Sequence, residues 1–437
     1  MTDATFIPAT KSEPATAGLL RRQNRFLLSV VFVAFALRLG LILIGHTYRV
    51  RTNDGNFSFG WEMGRIGRSL ASGQGFSNPF NETTGPTAWE PPLYPFLIAG
   101  VFRIFGIYSR ASAIVLLTIN SIFSALTCIP IFRIAERCFG ATVARWTAWF
   151  WALLPFVMYW CTRWIWETSL AALLLTLIFW MTLVMEESEQ WKSWLVFGLV
   201  WGAAALTNTS LLAFQPASGL WIWHRRWKLG KRSLGGLILS AIIFLACITP
   251  WLARNYRVFG HFIFIRSNFG AELRIGNGPG ADGTWQEYLH PTQNVYEMRR
   301  YRQLGELGYV ATRKQEAMAF IRGNPGQFLW LSVKRFVYYW GGVPRLAANP
   351  ALAPFKNSAF LASSVLALWG LGRALRRHKI GAVLFLWLIV FYPAIFYVVF
   401  PHPRYRHPIE PELLILIVYL FSEATGWPGT DAVRQKT

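Results

Sequence analysis

Long apolar runs separated by short charged segments dominate this chain. The first run, residues 26–45, can cross a hydrocarbon core of about 30 Å at about 1.5 Å per residue, and three arginines between residues 21 and 25 precede it. Because basic flanks favour the cytoplasmic side, the pattern predicts a retained signal anchor with residues 1–25 in the cytoplasm. Arg38 lies inside this run, where it either snorkels to the outer surface or turns into the bundle.

The orientation of the later runs depends on residues 93–108, a short apolar run that carries Arg103. If this run crosses the membrane, three later basic clusters face outside, whereas all three are cytoplasmic if it lies along the interface or re-enters. The positive-inside rule favours the second alternative. The three clusters are Arg133/Arg137/Arg145, Arg225/Arg226/Lys228/Lys231/Arg232 and Arg373/Arg376/Arg377/Lys379.

The pattern therefore predicts an all-α polytopic membrane protein with about ten transmembrane helices between residues 26 and 422. The predicted spans are 26–45, 113–132, 146–161, 168–185, 194–207, 208–223, 234–253, 357–372, 380–400 and 409–422. The predicted external segments are 46–112, 162–167, 254–356 and 401–408. Residues 327–340 of the large loop are predicted to form an amphipathic interfacial helix, and residues 423–437 a cytoplasmic tail.

Composition agrees with this class, because 54% of the 437 residues are hydrophobic and 22 are Trp. A net charge of +22 is typical of a nucleic-acid-binding protein, but here the basic residues lie between apolar runs. We therefore expect the binding partners to be membrane lipids and phosphate ligands and not nucleic acid. The four cysteines have neither metal nor redox spacing. No cofactor or metal site is predicted, and the sequence leaves a divalent cation open.

The first external segment is long and contains several Gly, Pro and Trp residues. Such a segment is more typical of a functional loop than of a simple connection. Asp54 is the first acid beyond the first span and is the leading candidate for a catalytic base, although Asn-Asp-Gly is also a strong turn signal. Glu167, at the outer mouth of the span at 168–185, is the second catalytic candidate. Its alternative role is a charge favoured at a helix N-terminus.

Residues 401–408 place two arginines, two histidines and a tyrosine among three prolines. The forked donors of Arg404 and Arg406 suit phosphate, so this segment is predicted to bind an anion, with interfacial anchoring as the alternative. Arg254 and Arg257, where the span at 234–253 ends, repeat this chemistry and are predicted to face the same cavity.

Acids and arginines at an external membrane face suit transfer of a sugar from a polyprenyl phosphate carrier. A carboxylate takes the acceptor's proton while the acceptor attacks the anomeric carbon, and cations hold the departing lipid phosphate. A polyprenyl-lipid transporter or flippase is an alternative, although the internal repeats typical of transporters are not visible. An O-antigen ligase-like enzyme is another, since it shares the substrates but relies on Arg and His.

The chain resembles the GT-C fold membrane glycosyltransferases, in the group of dolichyl-phosphate-mannose protein mannosyltransferases and lipid A aminoarabinose transferases. The matching stretches are Asp54, Leu70–Phe76, Pro86–Pro95, Phe105-Gly106, Thr249–Gly260, Gly276-Asn277 and Arg404–Arg406. The resemblance implies that Asp54 is the first-loop catalytic aspartate and that Glu167 helps to build the site. Gly55 departs from the Asp-Glu pair of the protein mannosyltransferases, and Glu90 stands where relatives often have a neutral or basic residue.

The resemblance also implies the partners, which are a polyprenyl-phosphate sugar donor and a glycan, lipid or protein acceptor. We expect the donor phosphate to lie among residues of three external segments. These residues are Glu90, Tyr94, Arg254, Arg257, Asn277, Arg404, Tyr405 and Arg406. The implied location is a bacterial inner membrane with an extracytoplasmic active site.

Overall fold

The computed structural model describes residues 13–50, 56–232, 234–344 and 353–425, and these ranges contain α-helices and short 3-10 turns but no β-strand. The helices are α1 Glu13–Ile44, α2 Glu62–Ala71, α3 Leu93–Phe105, α4 Arg110–Leu126, α5 Cys128–Phe139, α6 Ala141–Leu153, α7 Pro155–Arg163, α8 Thr168–Val184, α9 Trp191–Thr207, α10 Gln215–Lys228, α11 Leu234–Phe259, α12 Phe269–Gly276, α13 Val295–Gly323, α14 Pro325–Gly341, α15 Ala353–Arg376, α16 Ala382–Phe391, α17 Ala394–Val398, α18 Pro403–Arg406 and α19 Glu410–Ala424. The all-α class is confirmed.

Among the described residues, four helical stretches are long and apolar enough to cross a membrane: Arg21–Ile44, Arg110–Phe139, Leu234–Phe259 and Phe355–Arg376. The predicted count of ten spans is not confirmed, because several predicted spans are shorter or broken helices. The predicted span at 380–400 divides into α16 and α17 at Pro393, and the one at 208–223 begins with a 3-10 turn, Thr209–Phe214. The missing N–H of proline interrupts helical hydrogen bonding, which explains the first of these breaks.

Arg38 turns into the bundle and is fully buried. Its guanidinium donates to Ser124 Oγ at 3.1 Å and to the carbonyl oxygens of Trp151 at 3.2 Å and Ala152 at 2.9 Å. Those carbonyls lie in the last turn of α6, where Pro155 starts the next helix and leaves them without helical donors. The structure thus excludes the snorkelling alternative for this arginine.

One end of the bundle gathers the predicted cytoplasmic clusters. The acidic stretch that follows α8 pairs with arginines of other helices: Arg137 lies 2.8 Å from Glu187, and Arg225 lies 3.3 Å from Glu186. Phe139 of α5 stacks on Tyr419 of α19 with ring centroids 4.2 Å apart, which brings the last helix to this same end. The cations that pair with these acids come from other helices, so only the tertiary structure brings them together.

The opposite end carries an outer layer built from α2, α3 and α12 to α14. Helix α3 has 13 residues, about 20 Å, which is short for a 30 Å core, and it packs along α2. Helix α14 confirms the helix predicted at 327–340. Its exposed face carries Leu329, Trp330 and Phe336, while Arg335 points inward, as expected for a helix whose outer face meets lipid.

Candidate active site

Six charged side chains in and beside the outer layer lie near enough for their charges to influence one another. We call this group the charged cluster. Its members are Glu62 of α2, Glu90 before α3, Glu167 before α8, Arg266 before α12, Glu272 of α12 and Arg404 of α18. The group contains one predicted catalytic residue, Glu167, and two predicted donor-binding residues, Glu90 and Arg404.

Arg404 lies on an aromatic surface. Its Cζ is 3.8 Å from the ring centroid of Trp166 and 5.0 Å from that of Tyr405, and its Nη2 donates to the Tyr405 hydroxyl at 3.3 Å. Its Nη1 is buried and has no hydrogen-bond partner among the described residues. Burial disfavours the charged form, but Tyr405 and Glu167 outweigh it and raise the pKa of Arg404. This arginine is therefore a permanent cation with unused donor capacity.

Glu167 supplies the complementary group. One carboxylate oxygen accepts a hydrogen bond from Asn208 Nδ2 at 3.2 Å, and the other is buried without a partner in the described part of the chain. Asn208 ends α9, and its own Oδ1 accepts from the Ser210 amide at 3.0 Å, so the turn predicted near this residue fixes the carboxylate. Buried polar atoms are rarely left unpaired, so the free oxygen indicates a site that a ligand completes.

Glu62 and His290 form a buried pair with Nε2 and Oε1 3.0 Å apart. The histidine stacks on Trp61 with ring centroids 4.5 Å apart, and its Nδ1 accepts the Thr292 amide at 3.2 Å. Burial opposes ionisation of Glu62, but the hydrogen bond to His290 and the charge of Arg65 hold the pKa of this carboxyl below its usual value. Glu62 is thus an ionised group in the charged cluster.

Glu306 of α13 holds the segment that carries Glu90. Its carboxylate accepts hydrogen bonds from the Thr87 hydroxyl, from the Ala88 amide at 2.7 Å, from Ser267 Oγ at 2.7 Å and from the Tyr301 hydroxyl at 2.8 Å. These partners lie in three segments of the chain. One buried carboxylate therefore sets the position of the backbone just before Glu90.

Three predicted donor-binding residues are engaged in the protein's own packing. Arg406 is buried and donates to Glu410, Ser363 and Ser364 and to the carbonyl of Phe360. Arg254 donates to the carbonyls of Thr87 and Phe76, and Asn277 donates to the carbonyls of Leu273 and Val398. The structure does not bring these three side chains into the charged cluster, because their polar atoms already bridge separate segments.

The remaining predicted residues have different surroundings. Tyr94 donates to Asn120 Oδ1 at 2.9 Å, and Asn120 in turn donates to the carbonyls of Trp164 and Trp166, so Tyr94 supports the turn that carries Glu167. Tyr405 contacts Arg404 directly. Arg257 is exposed at the end of α11. Asp54, the predicted catalytic base, lies outside the described residues.

Sequence reasoning missed Glu62, Arg266, Glu272, His290 and Glu306. No spacing rule connects them, since they come from α2, from the region of α12, from the loop before α13 and from α13 itself. A single acid in the first turn of a helix, such as Glu62 or Glu272, is too common a pattern to indicate a site. The same holds for a single histidine in a long loop. Within the described ranges no group of three His, Cys, Asp or Glu side chains is arranged to hold a metal ion.

The free groups of the site define the ligand that fits it. Arg404 Nη1 offers a charged donor, the second oxygen of Glu167 offers an acceptor, and the indole N–H of the buried Trp61 is also unpaired among the described residues. Arginine donors suit phosphate, whereas carboxylate and indole groups suit the hydroxyls of a polar ligand. The arrangement is thus suited to a molecule that joins a phosphate to a polyhydroxyl group.

Comparison with known proteins gives a fold and a family match over part of the chain. A family model described as dolichyl-phosphate-mannose-protein mannosyltransferase matches residues 89–253. No curated protein matches the chain. The apo oligosaccharyltransferase of Archaeoglobus fulgidus is similar in structure, with 16% identity and a TM-score of 0.52 over 92% of this chain and 50% of that one.

Two further solved structures are similar. The archaeal oligosaccharyltransferase AglB of the same organism, in complex with an inhibitory peptide and a dolichol-phosphate, has 14% identity and a TM-score of 0.52 over 92% of this chain and 51% of that one. ArnT from Cupriavidus metallidurans bound to undecaprenyl phosphate has 14% identity and a TM-score of 0.41, over 92% and 77%. This chain spans about half the length of the archaeal proteins. The archaeal matches and the family model confirm the resemblance to GT-C fold membrane glycosyltransferases.

Proposed function

We propose that this protein transfers a sugar from a polyprenyl-phosphate-linked donor to an acceptor at the extracytoplasmic face of a membrane. The observation that carries the proposal is that Arg404, a buried cation with a free donor, lies within the electrostatic influence of Glu167, which has a buried free oxygen, in a GT-C fold. The family match and the lipid phosphates bound by AglB and ArnT support this class of donor.

In this proposal Arg404 binds the lipid phosphate. As the acceptor oxygen forms its bond to the anomeric carbon, the bond from that carbon to the phosphate oxygen breaks, and its electron pair stays on the phosphate. The increasing negative charge on that oxygen is stabilised by the arginine, which is fixed in place by Trp166 and Tyr405 before the reaction starts. The proton of the acceptor hydroxyl goes to a carboxylate.

We assign that carboxylate to Asp54. In the sequence Asp54 stands three residues before Phe57. Phe57 contacts Trp166 with ring centroids 5.3 Å apart, and its carbonyl accepts the Trp166 indole N–H at 3.1 Å. Trp166 carries Arg404 on its face and precedes Glu167. The charged cluster thus lies beside a residue that follows Asp54 closely in the sequence, and Glu167 is a second acid available to orient the acceptor.

The sidedness is part of the proposal. The basic clusters lie at the end of the bundle opposite the charged cluster, and basic residues in short loops favour the cytoplasm. The charged cluster would then face the extracytoplasmic side, and in a bacterium the membrane would be the inner one. The acceptor, whether glycan, lipid or protein, would approach from outside.

A transfer assay tests the function directly. Purified protein in lipid nanodiscs is mixed with radiolabelled polyprenyl-phosphate sugars and candidate acceptors, and label that leaves the lipid is followed. We expect transfer by the wild type and by Arg302→Gln, whose exposed side chain pairs with Glu82 on the surface, and a loss of ten- to a hundredfold in Arg404→Gln. If the lipid binds but the label never leaves it, or if the labelled lipid only crosses the bilayer, the result would instead favour a transporter.

A further inference from the structure

A groove of about 360 Å³ lies between the end of α1 and α7. This volume is within the roughly 300 to 1,000 Å³ of small-ligand sites. The groove is accessible from outside the protein, because two of its residues, Leu41 and Tyr159, are 44% and 41% exposed. None of its lining residues belongs to the charged cluster. The lining residues are Leu41, Gly45, Thr47, Pro155, Met158, Tyr159, Thr162 and Arg163.

The two walls of the groove run in the same direction. Arg38 of α1 donates to the carbonyl of Ala152 at 2.9 Å, so these two residues lie at the same level of the bundle. From that level α1 continues through residues 41–47, and α7 rises about 13 Å through residues 155–163. Glu167 follows α7 closely in the sequence. The groove therefore extends along the bundle towards the end that carries the charged cluster.

The lining of the groove changes from apolar to polar in this direction. On each wall the apolar residues come first and the polar residues follow. The apolar residues are Leu41, Pro155 and Met158, and the polar residues are Thr47, Tyr159, Thr162 and Arg163. A bilayer changes in the same way, from its hydrocarbon core to its headgroup region, where tyrosine side chains are common. The groove thus matches the two parts of a membrane lipid.

Two groups at the polar end of the groove are free to bind a ligand. Arg163 is exposed, and its guanidinium has no hydrogen bond or ion pair with the described residues. The hydroxyl of Thr47 is buried and also lacks a partner in the described ranges. Its neighbours His46 and Tyr48 contact each other, with Nδ1 and the tyrosine hydroxyl 3.1 Å apart. Because a guanidinium presents paired N–H donors and a hydroxyl adds another, this end suits a phosphate group.

Aromatic rings connect the groove with the site of the proposed function. Tyr159 contacts Trp164 with ring centroids 6.1 Å apart, and Trp164 contacts Phe57 at 5.4 Å. Phe57 in turn contacts Trp166 at 5.3 Å, and Trp166 carries Arg404 on its face. Two further rings therefore separate the tyrosine of the groove from the tryptophan beneath Arg404. The groove is a second site, with an arginine of its own.

We propose that this groove binds an anionic phospholipid of the surrounding bilayer. The phosphate lies at Arg163 and Thr47, and the first part of an acyl chain lies along Leu41, Pro155 and Met158. The free positive charge selects an anionic headgroup over a zwitterionic one. The apolar end favours a ligand with a hydrocarbon chain over a free phosphate ion, because the chain covers apolar surface. The proposal goes beyond the proposed function and holds for any reaction at the charged cluster.

Photocrosslinking in nanodiscs tests the proposal at the groove itself. Phosphatidylcholine nanodiscs receive a small amount of phosphatidylglycerol or of phosphatidylcholine, each with a photoreactive group on an acyl chain. Crosslinks at residues 155–163 are measured by peptide mass spectrometry relative to those on the exposed apolar face of α11. We expect about fivefold more crosslinking with phosphatidylglycerol. Arg163→Gln should abolish this preference, and Arg163→Lys, which keeps the charge, should retain it.

Arg110→Gln is the matched control, because it removes an exposed arginine at the start of α4, outside the groove, and it should retain the preference. Thr47→Val removes only the hydroxyl and should lower the preference about twofold, which provides a second test if Arg163→Gln does not fold.

Three results would overturn the proposal: equal crosslinking by the two lipids in the wild type, a preference that persists in Arg163→Gln, or its loss in Arg110→Gln. Displacement of the probe by a short-chain polyprenyl phosphate, but not by unlabelled phosphatidylglycerol, would assign the groove to the donor lipid instead. No acceptor is present in this experiment, so its failure would leave the proposed sugar transfer to be judged by the transfer assay alone.

Discussion

Arg404 and Arg406 lie two positions apart in α18, and replacing each with alanine should separate ligand binding from stability. Arg406 has a side-chain exposure of 2%, bonds to Glu410 and to two serines of α15, and has its Cζ 3.5 Å from the ring centroid of Phe360. Within the described ranges the Arg404 side chain bonds only to the Tyr405 hydroxyl, and it lies on Trp166. Arg406 therefore joins helices, whereas Arg404 faces the charged cluster.

The magnitudes follow from these contacts. Arg406→Ala leaves Glu410 buried without its cation, and breaking a buried pair in this way costs about 3 to 5 kcal/mol, a large part of the roughly 5 to 15 kcal/mol that stabilises a folded protein. Arg404→Ala removes one long hydrogen bond and a cation–π contact, about 1 to 2 kcal/mol. The same variant also loses a contact to the lipid phosphate. Such a contact contributes about 1.5 to 3 kcal/mol to binding, so its loss corresponds to ten- to a hundredfold weaker binding.

Thermal unfolding in detergent and the Kd of a polyprenyl phosphate measure the two effects on the same preparations. Arg406→Ala should unfold at a clearly lower temperature, whereas Arg404→Ala should unfold close to the wild type and bind the lipid at least tenfold more weakly. The reasoning fails if the two variants lose equal stability. Unchanged lipid affinity in Arg404→Ala would refute its role at the phosphate.

Three further predictions concern the base, the outer layer and the topology. Asp54→Asn should keep donor affinity and lower transfer by about 10² or more, and near wild-type turnover would make it only a turn residue. Glu306→Ala leaves donors such as the Ala88 amide without their acceptor, so chemical denaturation should show a loss of about 1 to 3 kcal/mol, and full stability would contradict this. Cysteine introduced at Gly75 should react with an impermeant reagent added outside intact cells, whereas labelling at Lys228 would reverse the assigned orientation.

The sequence by itself determined the class of the protein and many of its helices. The runs predicted at 168–185 and 234–253 correspond to α8 and α11, and the helix predicted at 327–340 corresponds to α14. These predictions succeed because transfer of an apolar segment into lipid, and hydrogen bonding within a helix, depend mainly on residues close together in the chain. The end of α9 at Thr207 agrees with the predicted boundary between the spans at 194–207 and 208–223.

Only the tertiary structure decided which polar residues belong to the site. Arg404 and Arg406 are equivalent in the sequence, but the packing of α18 turns one towards Trp166 and the other towards α15. Glu306 reaches Thr87 from more than two hundred residues away, and the pair of Glu62 with His290 is equally remote in the chain. A side chain's charge state and free hydrogen-bonding capacity depend on neighbours from other segments, so only the packed chain determines them.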